Sequence, residues 1–201
     1  MFYIYIILLT IIFLIIGLRI IFFLITPLVK KYNLVKVYNP FFFIREKRNY
    51  IEIHLGFARD LILNNDFSKR KVLVYLASGL LKLINEIESG RIELNRIIQG
   101  NPYFFKTSNF QNFGFNSRDL YCFEKIRFYL NYVELSILKS YTSKKLVLIK
   151  IDKLKIVYTD ARTLLANKNK ILSIYHRLKK ENEIIHNSFD DEAQAIPKTA
   201  V

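Results

Sequence analysis

With 201 residues, 31 Lys and Arg against 17 Asp and Glu, and a formal net charge of +14, the chain favours anionic partners: phospholipid head groups, nucleic acid or an acidic protein. Its single cysteine, Cys122, excludes an intrachain disulfide, and a cysteine-based metal cluster would need other chains. That usage fits a reducing compartment, and the residues after the opening apolar run suffice for one domain with its own core.

Met1 to Val29 is almost unbroken apolar sequence whose only charged side chain is Arg19. About 20 such residues match the hydrocarbon thickness of a bilayer, so the run predicts a transmembrane helix acting as a signal anchor. No Lys or Arg precedes it and no Ala-x-Ala-like site follows it, which argues against a cleaved signal peptide. A span from about Phe2 to Ile20 lets Arg19 snorkel to the inner head groups and leaves Ile21 to Val29, broken by Pro27, at the interface. The sharper alternative pairs Arg19 with another subunit inside the membrane. All nearby cations lie after the run, which predicts a single pass with the body facing the cytoplasm or the mitochondrial matrix.

Residues 30–48 form a basic, aromatic juxtamembrane segment. Asn39-Pro40 signals a turn, and Phe41, Phe42, Phe43 and Ile44 follow it. Rings beside cations suit the head-group zone, so Arg19, Lys30, Lys31, Phe41, Phe42, Phe43 and Arg45 are the membrane-interface set. The other reading of Phe41 to Ile44 is a short core strand.

Residues 49–186 read as a helical domain. Ile51, Leu55, Ala58, Leu61 and Ile62 recur at helix spacing over residues 50–64. Asp66 or Ser68 can cap a helix from Lys71 to Ser89, whose face is Val72, Leu76, Leu80, Leu83 and Ile87 and whose stop is Gly90. Arg91 to Gln99 reads as a shorter helix. Residues 101–117 mix Tyr103, Phe104, Phe105, Phe110, Phe113 and Phe115 with small polar residues; this is an ordered loop whose rings fill a core edge, with a ligand surface as the alternative. Ser117 starts a helix to about Tyr141, with Leu120, Phe123, Phe128, Val133, Leu135 and Leu138 largely buried. Lys145 to Tyr158 is ambiguous: Val147, Ile149 and Ile151 alternate as a strand would, with Lys153 to Tyr158 as its hairpin partner, yet the same residues also begin a heptad.

From Leu154 the positions Val157, Ala161, Leu164, Lys168, Ile171, Tyr175, Leu178, Asn182 and Ile185 continue at three and four, predicting a long helix packed on one seam. That helix either folds onto its own domain or self-associates, with Leu154, Val157, Leu164, Ile171 and Leu178 as the partner contacts. Residues 187–201 read as a disordered acidic tail.

Lys144, Lys145, Lys150, Lys153, Lys155, Arg162, Lys168, Lys170, Arg177, Lys179 and Lys180 face only Asp152 and Asp160, eleven cations against two anions. All of them except Arg162 make up the candidate anionic-surface site. Catalytic signatures are thin. His54 and Asp60, six apart, fall on nearly opposite faces of a helix. Glu86 and Glu88 likewise point to different faces. Phosphate-cradling glycine loops and nucleophile elbows are absent, and Cys122 reads as a buried structural thiol. No cofactor or metal is implied.

The fold expected is therefore mainly α: one N-terminal transmembrane helix over residues 1–29, then a helical cytosolic domain with room for one small hairpin. The function expected is a membrane-anchored, non-enzymatic assembly or scaffold protein whose basic face meets anionic lipid or a protein partner. A transferase on a membrane-borne substrate and an RNA- or ribosome-binding anchor are the alternatives, although no nucleic-acid motif appears.

Overall fold

The computed structural model describes residues 2–32, 34–56, 60, 69–102, 105, 107–143 and 145–194. The apolar run forms α1 (Phe2–Lys31), a helix that does not stop at Ile20 but continues through Pro27 to end on Lys30 and Lys31. Tyr3, Tyr5, Thr10, Gly17, Thr26 and Pro27 interrupt its aliphatic character, and the Thr10 hydroxyl donates to the Ile6 carbonyl at 2.8 Å. Among the described residues no helix is long and apolar enough to cross a membrane. The expected transmembrane helix and signal anchor, with the membrane sidedness built on them, are corrected accordingly.

After α1 the chain reverses twice to form an antiparallel meander of β1 (Lys36–Asn39), β2 (Phe42–Glu46) and β3 (Tyr50–His54). The Asn39-Pro40 turn is real: the Asn39 Oδ1 accepts from the Phe41 N–H at 3.0 Å, while its Nδ2 donates to the Tyr75 carbonyl at 2.8 Å. Helix α2 (Lys69–Glu88) then crosses over to β4 (Ile97–Gly100), which lies parallel to β3. With β5 (Asn116–Asp119) and β6 (Lys155–Asp160) the sheet has six strands in the order β1-β2-β3-β4-β6-β5.

The expectation of a mainly helical fold with at most one small hairpin is thus corrected to a mixed α/β fold. Two of the misread segments show why. Residues 50–64 offered apolar positions at three and four, but Ile51, Ile53 and Leu55 also alternate, and it is this alternate set that is buried. Ala58, Leu61 and Ile62 of the expected helix lie outside the described residues, as do the candidate caps Asp66 and Ser68. In the expected helix Arg91 to Gln99, Ile98 is buried beside an exposed Ile97, which is strand spacing, and β4 begins there.

Helix α2 matches its expectation closely. Val72, Leu76, Leu80, Leu83 and Ile87 are all buried against the sheet face that carries Phe42, Ile44, Ile51, Ile53, Ile98 and Val157. Its end is a Schellman motif: Gly90 sits at φ +73°, its N–H donates to the Ile87 carbonyl and the Arg91 N–H to the Glu86 carbonyl, both at 3.0 Å. Gly79 lets the helix approach the sheet, because a Cβ there would stand 2.2 Å from the Phe42 ring.

The expected seam from Leu154 starts in a strand. Asp160, the last residue of β6, caps α6 (Ala161–Ala166) by accepting the Thr163 N–H at 2.7 Å, and α7 (Lys168–Gln194) follows. Lys168 at the start of α7 pairs with Glu88 at the end of α2 at 2.7 Å, and Glu181, midway along α7, pairs with Arg70 at the start of α2 at 3.4 Å, so the two helices run antiparallel. Val157, Leu164 and Ile171 belong to this main core, and the helix folds onto its own domain. Helix α7 runs to Gln194, into the segment expected as a disordered tail, and residues 195–201 lie outside the described residues.

A second, smaller core lies on the opposite side of β6. Helix α3 (Thr107–Gln111) leads to β5, and α4 (Cys122–Leu130) and α5 (Tyr132–Ser143) return toward a 3-10 turn at Ile151–Lys153. Leu120, Leu135, Ile149, Ile151 and Ile156 meet here, with Phe128, Tyr132 and Leu154 packed around them. Consecutive residues Ile156 and Val157 therefore serve different cores, as strand geometry dictates. The aromatic segment 101–117 sends Phe110, Phe113 and Phe115 into the main core, while Tyr103 and Phe104 lie outside the described residues.

Candidate functional site

Alternation divides the sheet into two unlike faces. Across the strands on the helix-covered side, Ile44, Ile53, Gly100, Val157 and Ser117 stand in register. Gly100 is needed there, since a Cβ would lie 2.5 Å from the Ile53 side chain. One residue along each strand, the other face carries a polar row in the same manner: Arg45 opposite Glu52, Glu52 opposite Gln99, Gln99 opposite Tyr158, and Tyr158 opposite Asn116. Five strands thus contribute one side chain each to a single polar line.

Glu52 is its centre. Its side chain is only 14 % exposed, with one oxygen 3.4 Å from His54 Nε2 and the other accepting from Arg127 Nη2 of α4 at 3.1 Å. Burial alone would raise its pKa, but the His54 hydrogen bond and charge, then the Arg127 guanidinium, outweigh that and hold it at about 2. His54 in turn stacks on Phe43, its cross-strand neighbour, with ring centroids 4.8 Å apart and planes 8° from parallel. A carboxylate that stays ionised so far below neutrality is a weak proton carrier near pH 7. Chemically the cluster is an ionic clamp between α4 and the sheet. The signal for it was the alternation Ile51-Glu52-Ile53-His54, which a helical reading conceals. His54 and Asp60 do not meet as a pair: Asp60 binds Lys30 instead.

A second buried carboxylate lies at the other edge. Glu86 of α2, almost fully buried, pairs with Lys36 of β1 at 2.5 Å, and Lys36 Nζ stands 5.9 Å from the centroid of the Tyr38 ring. Burial, and then the Glu86 carboxylate, push the Tyr38 hydroxyl well above the ordinary phenol range. Glu88, two residues on, is on the surface with Lys168, so the two carboxylates face different ways as their spacing predicts.

The anionic-surface candidates do not form one continuous face. Lys145, Lys150 and Lys153 are exposed around the second core; Lys155 of β6 is 3.6 Å from Asp119; Lys144 lies outside the described residues. Lys168 is engaged by Glu88. Lys170, Arg177, Lys179 and Lys180 are exposed on α7, whereas Ile171 and Ile174 face the domain and Leu178 is half-buried. Lys170, Ser173, Arg177 and Lys180 are spaced three, four and three, a cationic stripe on one side of the helix. β6 separates this stripe from the cations before it, because the chain changes sides of the sheet there.

Of the membrane-interface candidates, Phe41, Phe42 and Phe43 are buried, in keeping with the core-strand reading. Arg45 joins the polar row, Lys30 is tied to Asp60, and Lys31 is exposed at the end of α1; Arg19 lies within α1. Cys122, expected to be buried, is exposed. Among the described residues no group of His, Cys, Asp and Glu can hold a metal ion. No family, curated protein or solved structure matches this chain.

Proposed function

We propose that this protein is a non-enzymatic assembly or scaffold protein that docks through the α7 stripe of Lys170, Arg177 and Lys180 onto an anionic surface, carboxylates of a partner protein or phosphates of lipid head groups. The observation that carries the reading is the two-sided build of α7: one side sits in the core of its own domain, while the other offers cations to solvent at helix spacing. Formal net charge of +14 adds a long-range field of the same sign. Each such cation near an anionic leaflet contributes about 1 kcal/mol, and the attraction fades within a Debye length of ~8–10 Å.

The test is co-sedimentation of the full chain with phosphatidylserine vesicles and, separately, with an acidic polypeptide, at low and high salt. Binding to one of them at low salt, lost at high salt and in a Lys170→Glu/Arg177→Glu/Lys180→Glu variant, supports the reading. Absence of binding to both at low salt ends it. RNA that copurifies and is released by salt would instead favour the nucleic-acid alternative.

A further inference from the structure

Of the residues that the sequence assigns to a buried helix face, Leu120 and Leu135 are buried, but Phe123 and Val133 are exposed and belong to a solvent-facing apolar stripe along α4 and α5. Phe123 (85 % exposed), Ile126 (49 %), Leu130 (60 %), Val133 (68 %) and Ile137 (58 %) recur at three and four along them. The stripe runs on across Asn131, because the Asn131 N–H donates to the Arg127 and Phe128 carbonyls and the Leu135 N–H to the Asn131 carbonyl at 3.0 Å. Leu146, 88 % exposed, lies beside it, since the Val147 N–H donates to Ser140 Oγ of α5 at 2.8 Å. At roughly 150–200 Å² for a fully exposed large apolar residue, these six side chains present about 700 Å². That exceeds what a monomer normally leaves in water and approaches the ~800 Å² that each partner supplies to a standard interface.

From this area and spacing we infer that the α4–α5 stripe is the interface of a homodimer: a second copy of this chain packs the same stripe against it, antiparallel about a two-fold axis. The occupant follows from self-complementarity. Residues at three and four on two antiparallel copies interdigitate, and a two-fold axis across the stripe sets Phe123 of one copy against Ile137 of the other. The clamp between Arg127 and Glu52, with the bidentate pair of Arg118 and Glu124 at 2.8 Å, holds α4 against the sheet and keeps the stripe presented. Two copies of net charge +14 repel, so the dimer tightens with salt, the reverse of the α7 contact proposed above. The two readings therefore fail separately.

Sedimentation equilibrium of the full chain in detergent-free buffer tests this. A dimer that strengthens with salt is expected, with Phe123→Asp/Leu130→Asp weakening it by about 100-fold or more while leaving the fold intact, because both residues are exposed. A second measurement uses the exposed Cys122: with Ile137→Cys, oxidation should give a disulfide-linked dimer through the native thiol, whereas the unaltered chain should give none. A monomer at every concentration, or equal association of the double variant and the natural chain, overturns the proposal. So does crosslinking through Cys122 without Ile137→Cys.

Discussion

Arg127 of α4 and Glu52 of β3, 75 residues apart in sequence, meet at 3.1 Å and fasten the second core to the open face of the sheet. Because Glu52 is nearly buried while Arg127 is more than half exposed, the two ends of this contact have unequal weight.

Stability should fall on acidification through Glu52. Its carboxyl is held at about 2 in the folded chain against 4.5 in the unfolded one. A lowered folded value means that the stabilisation is complete above the unfolded value and is lost as pH drops from about 5 toward 2. Urea unfolding at pH 7 and pH 3 should show this loss, and Glu52→Gln should lower stability at pH 7 by about 1.5–3 kcal/mol while shrinking the difference between the two pH values. Arg127→Ala should cost less, about 0.2–1 kcal/mol.

Gly79→Ala should destabilise despite the better helix propensity of alanine. A Cβ would fall 2.2 Å from the Phe42 ring, which is fully buried, so helix and sheet would have to part. The net cost should be about 1–3 kcal/mol by thermal or denaturant unfolding. Phe42→Leu in the same background should recover part of it.

Asp160 accepts the Thr163 N–H at 2.7 Å and the Thr163 hydroxyl at 3.0 Å, joining β6 to α6. Those hydrogen bonds, the backbone one foremost, hold its carboxyl below the usual range. Asp160→Ala should therefore cost ~1 kcal/mol and Asp160→Asn only a few tenths, since asparagine caps nearly as well.

Ile171→Ala should lower stability by about 2–5 kcal/mol, because the side chain is fully buried between α7 and the main core. Light scattering of the folded variant should show its oligomeric state unchanged. A change in assembly without loss of stability would contradict its place in the domain's own core.

Legibility in the sequence followed element length. α2 spans five turns, so its apolar face repeats often enough to exclude other periods, and Gly90 marks its end through a conformation that glycine alone adopts easily. Strands of four to six residues offer two or three repeats, too few to separate alternation from helix spacing at Ile51 or Ile98. β6 is harder still: buried on both sides, it shows no alternation at all, and its apolar residues mimic the start of the α7 seam. The ionic clamp was illegible for a related reason, since neither Glu52 nor Arg127 carries any local sign of the other.

By itself the sequence determined the cationic excess, the helix read from Lys71 to Ser89, the turn at Asn39 and the burial of Leu164 and Ile171. Those properties depend on neighbours within about ten residues. Only the tertiary structure decided the six-stranded order, the polar row on the open face and the exposure of the α4–α5 stripe. Strand pairing joins residues far apart in sequence, and a periodic apolar stripe shows that a surface wants burial without showing whether its own chain supplies the cover.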